Sequence, residues 1–199
     1  MEYTISVLRW SPVFICNTYQ VISKQAGIIM SSQSTNNLAP FEDSIRKIPA
    51  GETRQNILGF LQYLNSLGMV FAGNTDDGRV IYKGKKVCDF HISGDYSGYP
   101  GPWTVWMTGD FGTETECLPD DTRLMEIAWA NVHPCDNCGG SSVWCGTDKR
   151  RKVFGRDFEN LCVSPIAFTG SDSEAVGCMK KMAKMRKQAI DARSNDATF

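Results

Sequence analysis

Cysteines in the second half of the chain have the spacing of a metal site. Cys135 and Cys138 form a Cys-x-x-Cys turn that two glycines follow. Such a turn directs two thiolates at one ion, and the glycines permit a positive φ while leaving backbone N–H groups free to approach the sulfurs. Cys145 and Cys162 would complete four thiolates, a closed tetrahedral set that is structural in most zinc proteins. We therefore predict a structural Zn²⁺ held by Cys135, Cys138, Cys145 and Cys162.

Other interpretations of these cysteines stay open. His133 could replace one thiolate, and Cys178 could do so as well, although its place in a helical apolar stripe suits packing. The first 30 residues lack the basic start and the long apolar core of a signal peptide, so we expect a reducing cytoplasm, where metal-bound or free thiols are favoured over disulfides. A redox role for the Cys-x-x-Cys turn is disfavoured because no thioredoxin-like βαβ context surrounds it.

Catalytic residues are not predicted from this sequence. Its two histidines, His91 and His133, leave few candidate bases for a nucleophile. His91 lies in a predicted strand, where a structural role is favoured, and Asp120 and Asp121 are best explained as charges that complement the dipole of a following helix. The chain also lacks a phosphate-binding glycine loop and a dinucleotide fingerprint. We therefore predict no catalytic residue, and an enzyme stays open as a third possibility for which the sequence offers no convincing base.

Length and composition indicate one globular domain with an extension. The chain has 199 residues, of which 42% are hydrophobic and 22% are charged, and this composition is typical of soluble globular proteins. No apolar run approaches the roughly 18 residues of a membrane span, so no membrane partner is expected. A polar run at 31–37 predicts that residues 1–40 form a partly ordered extension and linker. Residues 41–199 are expected to form a single domain, with the zinc loop at 133–165.

Periodicity predicts an α+β fold: an antiparallel β-meander packed on helices, with a cysteine-rich zinc-binding loop and a C-terminal helix. Apolar residues recur at helical spacing over 52–67, and a capping-box sequence, Ser171 to Glu174, precedes a Lys-rich helix over 172–193. Strands separated by turn residues form the meander, and a short helix leads into the cysteine loop. The predicted strands are 79–82, 86–92 and 103–107, and the short helix is 120–129.

Aromatic residues of the predicted meander suggest a binding cleft. Trp103 and Trp106 alternate on one strand, so each face of the sheet carries an indole, which is more than one buried face needs. Aromatic linings are typical of small-molecule pockets. We therefore predict a ligand-sensing or interaction module that binds a small molecule or a protein partner. Its candidate ligand-binding residues are Tyr82, Phe90, Tyr96, Tyr99, Trp103 and Trp106.

Charge distribution supplies the alternative function. Residues 95–148 carry nine acidic side chains and one basic one, whereas residues 149–193 carry eleven basic and five acidic ones. A basic surface could bind nucleic acid through Lys149, Arg150, Arg151 and Lys152 together with the C-terminal helix. The opposing interpretation is that the two halves neutralise one another across the fold. The sequence leaves the oligomeric state open.

A loose family resemblance accompanies these patterns. The order of a helix, the segment Val80–Cys88, a Trp-bearing strand and a Lys-rich C-terminal helix resembles small bacterial domains of the YjbR/YdhG type, over residues 52–107 and 172–193. The segment 154–162 resembles a recurring piece of uncharacterised bacterial proteins with a cysteine-rich insert. The resemblance implies an α+β fold and bacterial origin, and it supplies no activity or catalytic residues.

Overall fold

The computed structural model describes residues 38–92, 99–111, 121–134 and 150–196 of the chain. The described helices and strands follow one another in the order α1 (Ala39–Lys47), α2 (Glu52–Ser66), β1 (Val70–Gly73), β2 (Asp77–Tyr82), β3 (Lys85–Ile92), β4 (Trp103–Met107), α3 (Thr122–Ala130), β5 (Arg150–Val153), β6 (Arg156–Glu159), β7 (Ile166–Thr169) and α4 (Ser173–Asp196).

An antiparallel sheet of five strands in the order β1-β2-β3-β4-β7 forms the centre of the fold, and β5 and β6 form a separate two-stranded hairpin. Helix α4 packs on β3 and β4, α2 packs on α4, and α1 packs on α2. The predicted α+β class, with its meander and C-terminal helix, is confirmed. The predicted zinc loop lies largely at 135–149, outside the described residues.

The core lies between the sheet and the helices. Its largest side chains include Trp103, Phe60, Phe90 and Met182, all essentially inaccessible to solvent. Cys178, Met179 and Met182 of α4 are buried in this core, whereas Lys181 and Lys184 of the same helix are exposed. The helical apolar stripe that includes Cys178 therefore packs in the core.

Five of the described elements have no counterpart among the predicted ones, namely α1, β1, β5, β6 and β7. Helix α1 begins at Ala39, so the predicted domain boundary after residue 40 falls inside a helix whose Phe41 and Ile45 are buried. The buried hydroxyl of Ser44 donates a 2.6 Å hydrogen bond to Asp76 Oδ1, which ties α1 to the turn before β2. Strands β1 and β7 have four residues each, too few for alternation to identify them from sequence.

The cap of α4 differs from the predicted capping box. Asp172, not Ser171, accepts the hydrogen bond from a first-turn amide, that of Ala175, at 2.8 Å. Glu174 does not reach back to the cap, because its two oxygens accept 2.7 Å hydrogen bonds from the Arg123 guanidinium on α3. A charge-assisted bidentate pair is stronger than a neutral capping bond, and it joins α3 to α4.

None of the helices in the described part of the chain is both long enough and apolar enough to cross a membrane.

Candidate ligand-binding cleft

Strand register divides the central sheet into two faces. Residues directly opposite in an antiparallel pair point to the same side, so Val80, Cys88 and Met107 lie on the core face. We call the other side the cleft face. Its residues, taken from the same registers, are Ala72, Asp77, Arg79, Asp89, His91, Thr104, Trp106, Ala167 and Thr169.

A cleft of about 760 Å³ opens on this face. The strand residues Asp77, Arg79, Asp89 and Trp106 line it, together with Tyr99 from the segment before β4 and with Cys162 and Ser164 from the segment before β7. The face is not open throughout, because Thr104 and Ala167 on it are buried. Two aromatic residues, Tyr99 and Trp106, are among those that line the cleft.

Aromatic rings form one wall of the cleft. The rings of Tyr99 and Trp106 meet edge to face, with centroids 5.6 Å apart and planes at 85°. The His133 ring contacts Tyr99 in the same manner at 5.0 Å. Such contacts hold each ring in a fixed orientation, so the wall is formed before any ligand arrives.

Two carboxylates with hydrogen-bonded basic partners, Asp89 and Asp77, lie beside this wall. Arg79 Nε donates to Asp89 Oδ1 at 3.1 Å, and Lys86 Nζ donates to Asp89 Oδ2 at 2.6 Å. One row along the sheet, His91 Nδ1 lies 2.6 Å from Asp77 Oδ1, a contact with a carboxylate that requires a proton on Nδ1. The cleft therefore combines an aromatic surface with fixed charges of both signs.

The predicted ligand-binding residues divide among several places. Tyr99 and Trp106 line the cleft. Phe90 borders it, but its ring packs against Phe41 in the core with centroids 4.9 Å apart. Trp103 is fully buried on the core face, where its indole N–H donates to the Thr53 carbonyl oxygen at 3.3 Å. The expectation that the two indoles take opposite faces is thus confirmed.

Of the remaining two predicted residues, the described one, Tyr82, is not among those that line the cleft. Tyr82 lies at the far end of β2, where its hydroxyl donates to Asp191 of α4 at 3.0 Å. Tyr96 lies outside the described residues. Sequence reasoning missed Asp77, Arg79 and Asp89, although the alternation of Asp77 and Arg79 with Gly78 and Val80 along β2 was a usable signal for a shared face.

Three predicted zinc ligands, Cys135, Cys138 and Cys145, lie outside the described residues. Cys162 is half-buried at the rim of the cleft, and its thiol donates to the Ser164 carbonyl oxygen at 3.3 Å. No cluster of three or more metal-binding side chains occurs within the described ranges. Of the two candidate replacements, His133 contacts the Tyr99 ring.

The other candidate, Cys178, is poorly suited to bind a metal. Its thiol is buried between α3 and α4, with contacts to the Leu124 carbonyl oxygen and to Met182. Burial raises the pKa of this thiol to about 12, and metals bind the thiolate. Cys178 therefore has a packing role.

The basic segment lies on the β5–β6 hairpin. Arg150 pairs with Glu159 and Lys152 pairs with Asp157, each at 2.9 Å. Arg151 approaches Asp110 at 4.0 Å, and Lys149 lies outside the described residues. The described cations of the segment are thus partly neutralised, two of them by carboxylates of the same hairpin and Arg151 by Asp110 of the acidic half.

Comparison with protein-family models, curated proteins and solved structures gives no match to this chain.

Proposed function

We propose that this protein is a ligand-binding module whose site is the cleft lined by Asp77, Arg79, Tyr99 and Trp106. The observation that carries the proposal is the pre-formed Tyr99–Trp106 wall in a cleft of about 760 Å³. Small-molecule sites have volumes of about 300–1,000 Å³ and combine aromatic linings with a few placed polar groups. The pairs Arg79–Asp89 and His91–Asp77 supply those polar groups.

We further propose that a structural zinc ion holds the loop beside this cleft. Val132 and Ile166 form an isolated β-bridge, and the His133 amide donates to the Pro165 carbonyl oxygen at 3.0 Å. The chain entering Cys135 therefore runs antiparallel to the chain leaving Cys162. Because one residue adds at most about 3.6 Å of reach, this pairing is compatible with thiolates from both segments at one ion.

Nucleic-acid binding through the basic segment and α4 is the alternative function. The carboxylate partners of Arg150 and Lys152 favour the cleft over this alternative, since paired cations release fewer counterions on binding phosphates. Salt separates the two functions. Phosphate binding would weaken steeply as ionic strength rises, whereas binding to an aromatic cleft would change little.

A library screen tests the proposed function. Thermal-shift measurements with nucleosides, sugars, amino acids and aromatic acids should find at least one ligand, whose affinity calorimetry then measures. We expect Trp106→Ala to weaken that affinity about tenfold or more, which corresponds to about 1.4 kcal/mol. The matched control is Tyr63→Ala, an aromatic truncation on α2 that should leave the affinity unchanged. Failure of every ligand, or equal binding by Trp106→Ala, would contradict the proposal.

A further inference from the structure

Two charged groups of opposite sign stand side by side on β2 at the cleft. Asp77 and Arg79 are two residues apart on one strand and point to the same face. Their Cα atoms are therefore separated by roughly 7 Å. Both side chains are largely accessible, with exposed fractions of 56% for Asp77 and 60% for Arg79.

The Arg79 guanidinium has donors to spare. Its Nε bonds Asp89, and no described residue accepts a hydrogen bond from its two terminal nitrogens. One oxygen of Asp89 accepts from Arg79 Nε and the other accepts from Lys86 Nζ. Asp89 therefore positions the guanidinium and leaves the N–H groups of its two terminal nitrogens for a ligand. Such a fork matches a carboxylate, which it binds through two parallel hydrogen bonds.

The Asp77 carboxylate has one acceptor oxygen to spare. Oδ1 takes the hydrogen bond from His91, and no described residue donates to Oδ2. The backbone N–H of Asp77 donates to Asn74 Oδ1 at 2.6 Å, which fixes the start of the strand. A ligand ammonium group would find a charged partner in Oδ2.

The aromatic wall lies at a defined distance from these charges. Asp89 stands opposite Arg79 on one side and opposite Trp106 on the other. Because neighbouring strands are about 4.8 Å apart, the Cα of Trp106 lies roughly 10 Å from that of Arg79. A ligand anchored on β2 therefore needs a side group several atoms long to reach the indole, and a planar apolar group suits the ring.

From these observations we infer, on the basis of the proposed function, that the cleft binds a zwitterion of the α-amino-acid class with an aromatic side chain. The carboxylate binds Arg79, the ammonium binds Asp77, and the aromatic group lies against Trp106 and Tyr99. The formal charges agree, since Asp77, Asp89, Arg79 and Lys86 sum to zero and the ligand is neutral overall. A ligand with a single charge would leave one of the two β2 groups desolvated without a partner, which costs free energy.

Calorimetry with aromatic amino acids tests this inference. The probes are L-phenylalanine, L-tyrosine and L-tryptophan, together with phenylalanine amide, N-acetyl-phenylalanine and L-alanine, which lack the carboxylate, the ammonium and the aromatic ring respectively. At least one aromatic amino acid should bind. We expect the three truncated probes to bind at least about tenfold more weakly than the matching zwitterion, as each loses one recognised group.

Charge variants assign each contact. Arg79→Gln should lower the affinity for the zwitterion about tenfold and leave the affinity for phenylalanine amide unchanged. Asp77→Asn should also lower the affinity for the zwitterion about tenfold, but should leave the affinity for N-acetyl-phenylalanine unchanged. The control is Arg156→Gln on the β5–β6 hairpin, whose guanidinium lies over the Trp129 ring and not at the cleft. It should not change any affinity.

The outcomes separate the two proposals. The zwitterion inference is overturned if none of the three aromatic amino acids binds. It is also overturned if phenylalanine amide and N-acetyl-phenylalanine bind as tightly as L-phenylalanine does. If the library still yields another ligand that depends on Trp106, the proposed function stands. If the library yields none, both proposals fail.

Discussion

Asp191 on α4 is a surface carboxylate held by three donors. It accepts hydrogen bonds or ion pairs from Lys83 Nζ at 2.6 Å, Lys187 Nζ at 2.9 Å and the Tyr82 hydroxyl at 3.0 Å. These partners, Lys83 first, lower the pKa of Asp191 to about 2. They also join the β2–β3 turn to the end of α4.

A pH-dependent contribution to stability follows from this lowered pKa. In the unfolded chain an aspartate has a pKa of about 3.9, so the folded state favours the charged form. The stabilisation should be complete above about pH 4 and should disappear as the pH falls towards 2. Because the group is near the surface, solvent screening keeps the contribution below about 1 kcal/mol.

Asp191→Asn tests this prediction. Urea unfolding at pH 7 should give a slightly lower free energy of unfolding for the variant, and the gap to the wild type should be nearly closed at pH 2. An equal gap at both pH values would show that the substitution acts through packing and not through charge.

Gly78 permits the packing between β2 and β3. A Cβ at this position would lie 1.9 Å from the Phe90 ring, which covers the glycine on the core face. Gly59, in the middle of α2, has no atom within 4 Å of such a Cβ. The same substitution should therefore have opposite effects in the two elements.

We expect Gly78→Ala to lower the free energy of unfolding by about 1–3 kcal/mol, because the Phe90 ring must move. Gly59→Ala should raise it by up to about 1 kcal/mol, because alanine favours the helix more than glycine does. Denaturant unfolding of both variants measures these changes. Equal losses of the free energy of unfolding in the two variants would mean that contact with the Phe90 ring does not cause the destabilisation by Gly78→Ala.

Ion pairs connect the acidic and basic halves of the chain. Asp121 pairs with Lys181 of α4, and Asp110 lies 3.8 Å from Arg193. Together with the Arg123–Glu174 pair, these contacts bring the segment before the cysteine loop against the C-terminal helix. The pairs of Asp121 and Asp110 therefore compensate part of the charge segregation in the sequence.

Zinc content is the decisive measurement for the cysteine loop. Elemental analysis of the purified chain should give about one zinc per molecule. Cys135→Ser/Cys138→Ser should lose the metal together with several kcal/mol of stability, since binding to a structural site contributes to folding. Cys16→Ser is the control, as Cys16 stands apart from the other cysteines in sequence and should retain zinc. The zinc site would be excluded if the wild-type chain contained no metal and were only as stable as the double variant.

Local patterns in the sequence determined much of the fold. The apolar periodicity of α2 and α4, and the alternation along β3 and β4, come from side-chain directions that the backbone repeats alone fix. These patterns placed Trp103 and Trp106 on opposite faces and placed Met182 in the core. Short elements such as β1 and β7 carry too few residues for a pattern, and only pairing with longer strands defines them.

The cleft is a product of the tertiary structure. Alternation along β4 places Trp103 and Trp106 on opposite faces but does not say which of them faces the core. That depends on which face of the sheet α4 covers. The juxtaposition of Arg79, Asp89 and Trp106 requires the register of three strands, and Tyr99 joins them through a loop contact. Likewise, Glu174 could be assigned to its own helix cap from sequence, but the approach of α3 brought Arg123 within 2.7 Å and gave it a stronger partner. Sequence thus determined the faces of individual elements, whereas long-range pairing decided which residues meet, because contacts between distant segments depend on how the elements pack.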